Sequence, residues 1–281
     1  MRLKTFTRMP LAIQMQLGVY YLKRFVGLKP TDHEVIWTSF FYFSLKKLIS
    51  ITCRNDLYLV EFEFEGASWK TSIRAGESSD IFAFFQVFIV EGYKPLLDFF
   101  KGKPHESLTI IDAGANVGYF SLLMLGCLHP EVLVALEPEK GNYSQLKINL
   151  GNHSSFLPLE SALWTERKML SIAFRKGKEW AAKVTERENE DACQAISLRD
   201  IMVENNIHQI DILKLDIEGT EDVLFKNASF LDTLGNVKII GIEIHDDMAD
   251  RSMILKALAE REFRFFSKGE LTIAWNTRLW N

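Results

Sequence analysis

The chain has 281 residues and a formal net charge of -4, with 47% hydrophobic and 25% charged residues. This composition is ordinary for a globular protein with a sizeable core, built as one large domain with an N-terminal extension or as two small ones. The mild acidity argues against nucleic acid as the main partner, and Cys53, Cys127 and Cys193 lack metal-ligand or C-x-x-C spacing, which reads as reduced thiols in a cytoplasmic protein.

Residues 1–31 contain no acid but carry Arg2, Lys4, Arg8, Lys23, Arg24 and Lys29 around LAIQMQLGVYYL. A signal peptide is disfavoured, because no small-residue cleavage site follows and Gln14 and Gln16 interrupt the apolar run. The stretch is too short and too polar to span a bilayer. It reads as an amphipathic helix packed on the domain, or, more sharply, as a basic helix that rests on a membrane surface or binds an acidic glycan. The aromatic-rich residues 33–53 fit no template. LYLVEFEF (57–64) alternates, with Tyr58, Val60, Phe62 and Phe64 on one face, so it predicts a half-exposed strand with SWKTSIR as its hairpin partner. Ser79 and Asp80 are expected to cap a helix through AFFQVFIV. A short helix, YKPLLDFF, and a turn, KGKPHES, complete an accessory region over residues 1–100, ahead of a second domain over 101–281.

The second domain opens on IIDAGANVGYFSLLM (110–124), which reads as strand, glycine turn and apolar helix, the ligand-binding corner of an open parallel sheet. Gly114 and Gly118 let the backbone approach a ligand. The run departs from the dinucleotide fingerprint G-x-G-x-x-G, because Asn116 replaces the middle glycine. Asp112 stands where an acid would face the ligand, poor company for a phosphate and good company for an ammonium or sulfonium cation. EVLVALEPE (131–139) is the next strand. It delivers Glu137, about 20 residues past the turn, where an acid can hold both ribose hydroxyls of a nucleoside, and Pro138 then ends the pairing. A helix follows over GNYSQLKINL, and a third strand, SFLPLESAL, ends near Ser161 and Ala162, whose small side chains would leave backbone groups free to read an adenine edge. SIAF (171–174) reads as an edge strand, KVTERENEDACQ as a solvated loop, and LRDIMVENN as a helix.

A second chemical stretch is QIDILKLDIEGTEDVLF (209–225), a buried strand with Lys214 and Asp216 near its carboxyl end and Glu218, Gly219 and Glu221 just beyond. A buried lysine needs an acid, so Lys214 is expected to meet Asp216 or Glu243. The last parallel strand, VKIIGIEIHDD (237–247), puts Glu243 and His245 on one face. A helix (MADRSMILKALAE) and a hairpin around Lys268 and Gly269 close the chain.

In combination, SSDIFAFFQVF, Tyr93, DAGANVG, EPEKGNYSQLKINL, ILKLDIEGTE and IGIEIHD, spread over about residues 57–275, resemble the FkbM family of S-adenosylmethionine (SAM) dependent methyltransferases. The resemblance implies an α/β, Rossmann-like class I methyltransferase fold: a seven-stranded, mostly parallel sheet whose last strand inserts antiparallel. It also implies SAM as cofactor, S-adenosylhomocysteine as product, and O-methylation of a hydroxyl on a sugar, glycan or natural product. Asp112, Gly114, Asn116 and Gly118 are then expected around the methionine part of SAM, Glu137 with Pro138 at the ribose, Ser161 and Ala162 at the adenine, and Asp216 close by. Asp216 and His245 compete as general base, with Lys214 as orienter, and a neutral histidine is the better match near neutral pH. This acid–base reading needs no metal. Its rivals are a nicotinamide enzyme, disfavoured by Asn116, a metal-assisted methyltransferase holding Mg²⁺ on Asp216, Glu243 and His245, and a SAM-binding module without turnover.

Overall fold

The computed structural model describes residues 6–76, 78–101, 107–151, 153–175, 178–185 and 192–280, with side chains left out between 172 and 191. The chain divides into two units, Met1–Gly92 and Tyr93–Asn281.

In the first unit, helices α1 (Leu11–Phe25) and α2 (Asp32–Lys47) pack together, and strands β1 (Leu48–Arg54), β2 (Leu57–Phe64) and β3 (Ala67–Arg74) form an antiparallel sheet in that order. The alternation expected of β2 holds, with Tyr58, Val60, Phe62 and Phe64 all buried. The untyped stretch 33–53 is α2 followed by β1. Its start is a capping box: Glu34 N–H donates to Thr31 Oγ1 at 3.3 Å and Thr31 N–H donates to Glu34 Oε2 at 2.9 Å. Many of the phenylalanines gather here. Phe62 meets Phe84 at 5.3 Å and Phe88 at 5.0 Å between ring centroids, both edge to face.

The expected cap at Ser79 and Asp80 is a correction. Helix α3 (Asp80–Phe84), which continues as a π-helical turn over Phe85–Ile89, has no side-chain cap. Asp80 is fully buried instead, where it accepts from the Arg74 backbone N–H at 2.8 Å and pairs with the Arg74 guanidinium at 2.7 Å. An ion pair at zero exposure outweighs a capping bond that water could replace.

In the second unit, α4 (Lys94–Asp98) precedes seven strands in the order β13-β14-β12-β11-β4-β5-β6. These are β4 (Thr109–Ala113), β5 (Val132–Leu136), β6 (Phe156–Leu159), β11 (Ile210–Leu215), β12 (Val237–Glu243), β13 (Phe263–Lys268) and β14 (Leu271–Asn276). All neighbours from β12 to β6 pair parallel, and β14 inserts antiparallel against both β12 and β13. This is the expected α/β sheet, including its antiparallel last strand. Ile110, Ile111, Val134, Leu136, Leu213 and Ile240 have no exposed surface, and every residue of β11 is buried, as expected of a parallel strand covered on both faces. Crossover helices α5 (Tyr119–Leu128) and α6 (Lys140–Leu150) connect β4 to β5 and β5 to β6.

A second sheet, β7-β10-β8-β9, departs from the expected layout. The single strand expected over 155–163 splits at Glu160 into β6, in the main sheet, and β7 (Ser161–Trp164), which pairs parallel with β10 (Ala192–Ser197). The expected edge strand lies within β8 (Lys168–Arg175). The expected loop KVTERENEDACQ supplies the end of β9 (Lys178–Thr185) and the start of β10, and residues 186–191 lie outside the described residues.

Candidate active site

The carboxyl ends of β4, β5 and β11 converge on one cleft, lined by Gly114, Asn116, Glu137, Pro138, Ser161, Ala162 and Asp216 together with Asn142, Leu163, Ile217, Glu218 and Thr220. Seven of the residues expected around the cofactor therefore meet on one surface. Asp112 and Gly118 do not line it.

The two motif glycines owe their place to packing. A Cβ on Gly114, at φ +79°, would fall 1.8 Å from the Asp216 carbonyl oxygen, and one on Gly118, at φ +87°, 2.5 Å from Leu146 Cδ1 on α6. Gly114 still presents its backbone to the cleft, whereas Gly118 packs against helix α6. Asn116, at φ +50°, turns the chain between them. Its N–H donates to Glu137 Oε2 at 2.8 Å, and the Glu139 N–H donates to Glu137 Oε1 at 2.9 Å. Glu137 thus ties the glycine turn to the end of β5 and keeps one lone pair free on each oxygen. Burial pushes its carboxyl up to about 7, against the pull of those two N–H groups.

Lys214 is buried and donates to the Gly114 carbonyl oxygen at 2.6 Å. Its ammonium lies 3.3 Å from Asp216 Oδ2, as expected, and also 3.3 Å from Asp112 Oδ1. The Asp112 contact is an ion pair without hydrogen-bond geometry, because Oδ1 has no hydrogen-bond partner. Burial opposes the lysine's charge, and the Asp112 and Asp216 carboxylates more than offset it, so the ammonium stays charged, well above the ordinary lysine range. Asp112 itself is fully buried, and Ser121 Oγ donates to its Oδ2 at 2.6 Å. The acid expected to face a ligand cation faces Lys214 instead.

His245 lies two residues beyond β12. Its Nδ1 is 2.9 Å from Oε1 of Glu221, a fully buried acid, while its Nε2 lies 3.6 Å from Glu218 and 3.9 Å from Asp216, both on the cleft. Burial lowers the imidazole, but the Glu221 hydrogen bond and the Glu221, Asp216 and Glu218 charges more than offset this and hold it at about 9. The expectation of a neutral histidine near pH 7 is corrected accordingly. Among the described residues, Asp216, Glu218 and His245 bring one ligand atom each to within 4.8 Å of one another. Glu218 stands in this trio where Glu243 was expected, and Glu243 is pushed up to about 9, first by burial and then by the Asp216 charge. Glu221 was noted in sequence only as one acid of a cluster. The K-x-D-x-E-G-x-E run held the signal, but which acid grips the histidine is a tertiary fact.

The profile of the methyltransferase FkbM domain matches residues 112–265, more than half of the chain. The chain belongs to the FkbM methyltransferase family. No curated protein matches this FkbM chain. Among solved structures it is similar to precorrin-6y C5,15-methyltransferase from Geobacter metallireducens (12% identity, 66% of this chain and 88% of that one, TM-score 0.40). It is also similar to fibrillarin from Aeropyrum pernix with natively bound SAM (10% identity, 82% and 99%, TM-score 0.39) and to TrmK from M. capricolum with S-adenosylhomocysteine (13% identity, 65% and 68%, TM-score 0.34). Likenesses of this size add nothing to the fold already read from the strand order of this FkbM protein.

Proposed function

We propose that this chain transfers the methyl group of SAM to a hydroxyl of a sugar, glycan or natural product. What supports the reading is that Asn116, Glu137 and Asp216 line one cleft while His245 Nε2 lies beside Asp216 and Glu218. The residues suit SAM on several counts. Glu137 has a free lone pair on each oxygen for the two ribose hydroxyls. Asn116 Oδ1 is buried without a partner among the described residues, which suits a donor such as an ammonium group. Asp216 and Glu218 favour a cation, and Pro138, Leu163 and Ile217 offer apolar surface to a flat ring.

When bound, SAM supplies a methyl group on a sulfonium sulfur, already activated toward an oxygen nucleophile. The chain's own part is to position the hydroxyl and remove its proton. His245 Nε2 accepts that proton as the oxygen–methyl bond forms and the sulfur–methyl bond breaks. Glu221, on Nδ1, fixes the ring's tautomer and orientation. Lys214 holds Asp216 and the Gly114 carbonyl in place, and Asp112 acts through Lys214 rather than on the ligand. Only neutral imidazole accepts a proton, so turnover rises with pH toward 9. A hydroxyl acceptor needs such a base, and acids at the cleft disfavour a polyanionic nucleic acid. Cys53, Cys127 and Cys193 form no disulfide among the described residues, which suits the reducing cytoplasm.

Glu137→Ala weakens S-adenosylhomocysteine binding by about 1.5–3 kcal/mol, or roughly 10–150-fold, the range for hydrogen bonds to a charged group. The ribose hydroxyls stabilise the ionised carboxylate, so binding lowers its pKa from about 7 and releases a proton. Affinity therefore rises with pH up to about 7 and levels off above it, and Glu137→Ala abolishes that slope. Calorimetry at about pH 6 and pH 8 reads both effects. An unchanged dissociation constant in the variant would show that Glu137 serves only the turn.

A second reading rests on the Asp216, Glu218 and His245 geometry: these three would hold a divalent cation, which would supply Lewis acidity toward the hydroxyl. Excess EDTA abolishes activity in that case and added Mg²⁺ restores it, whereas a base on His245 works in EDTA.

A further inference from the structure

Helix α1 has two apolar faces. Ile13 and Leu17 are buried on the side where α1 packs on α2. On the other side Leu11, Met15 and Leu22 are 71%, 63% and 62% exposed, and Val19 and Val26 are also exposed. Steps of four, four, three and four residues put these five on one continuous stripe. Phe25, at 86% exposure, flanks the stripe, and Leu28 carries it beyond the helix end. Scattered apolar residues on a surface need no explanation, but a contiguous stripe marks a contact.

The charge around the stripe points to one kind of partner. Residues 1–31 hold no acid, and Arg8 and Lys29, beyond the two ends of α1, are exposed; Arg24 lies on the side of Ile13 and Leu17 and takes no part. Lys23 is committed to Glu34 at 2.6 Å and takes no part. At 15 residues α1 is about 22 Å long, too short to cross a hydrocarbon core of about 30 Å, and no helix among the described residues is long and apolar enough to do so. A bare apolar stripe with an exposed cation beyond each end, on a helix whose other face is already packed, suits a helix lying in the plane of a lipid surface.

We propose that α1 docks the protein on an anionic lipid bilayer, with Leu11, Met15, Val19, Leu22, Phe25 and Val26 in the headgroup–acyl boundary and Arg8 and Lys29 on the lipid phosphates. The proposal stands independently of the methyl-transfer reading, because its test measures no turnover. The full chain is co-sedimented with vesicles of phosphatidylcholine alone and of phosphatidylcholine with phosphatidylglycerol. It partitions onto the anionic vesicles and much less onto the neutral ones, and added salt weakens the binding. The double variant Leu22→Asp/Phe25→Asp lowers partitioning at least about tenfold, because two large apolar side chains no longer leave water. Both positions are exposed, so its circular dichroism and melting temperature stay those of the wild type. Arg8→Glu/Lys29→Glu lowers binding to anionic vesicles about tenfold or more without touching the stripe. Failure to bind anionic vesicles overturns the proposal, as does binding that both variants leave unchanged. A concentration-dependent dimer in light scattering that Leu22→Asp/Phe25→Asp dissociates, with no vesicle binding, overturns it in favour of a second copy of the chain.

Discussion

His245→Ala lowers turnover about 10²–10⁴-fold, the usual share of a positioned general base, while affinity for S-adenosylhomocysteine holds. The expectation follows from the two ends of the ring. Nδ1 is held by a buried acid at 2.9 Å, and Nε2 is turned to the cleft acids Asp216 and Glu218. Removing the ring takes away the proton acceptor without touching Glu137 or Asn116. Glu221→Gln should act in the same direction by a smaller factor, since it keeps a hydrogen-bonding side chain but loses the charge that stabilises the imidazolium as it forms. Single-turnover assays with a competent acceptor separate this loss from a binding defect. Normal turnover in His245→Ala, with activity undisturbed by EDTA, would remove both the base and the cation from the mechanism and leave Asp216 or simple positioning.

Lys214→Met destabilises the second unit by about 3–5 kcal/mol, the cost of breaking a buried ion pair on one side. Asp112 has no exposed surface, and without the lysine the Ser121 hydroxyl is its remaining side-chain partner among the described residues. For a unit of this size the melting temperature falls by roughly 6–20 °C. The double variant Asp112→Asn/Lys214→Met recovers much of the loss, because it removes both charges together. Calorimetric melting of the three proteins checks this. A Lys214→Met protein that melts with the wild type would show that Asp112 is neutral or compensated elsewhere.

What the sequence made legible was largely local. The glycine turn, Glu137 and Asp216 stand at strand ends within short runs, and a strand followed by a turn and a helix leaves only one surface for those ends to share. The closing hairpin was legible for the same reason. Contacts made across the chain were not. Asp112 reads as a ligand-facing acid until Lys214, 102 positions later, closes over it at 3.3 Å. Asp80 reads as a cap until Arg74 takes its carboxylate. The split of 156–164 between two sheets depends on Ser161 pairing with Gln194, a partner that no local pattern announces. Helix α2 was missed for a different reason. Its aromatics, buried on several sides, blur the helical period, although Thr31 and Glu34 carried a capping box that marked its start.

The most direct measurement is isothermal titration calorimetry of the full chain with S-adenosylhomocysteine and, separately, with NAD. A cleft in which Glu137 holds a ribose, Asn116 and the cleft acids favour a cation, and no glycine replaces Asn116 to admit a pyrophosphate should bind S-adenosylhomocysteine at roughly micromolar affinity, with NAD far weaker. Tight NAD binding with no heat from S-adenosylhomocysteine would contradict it.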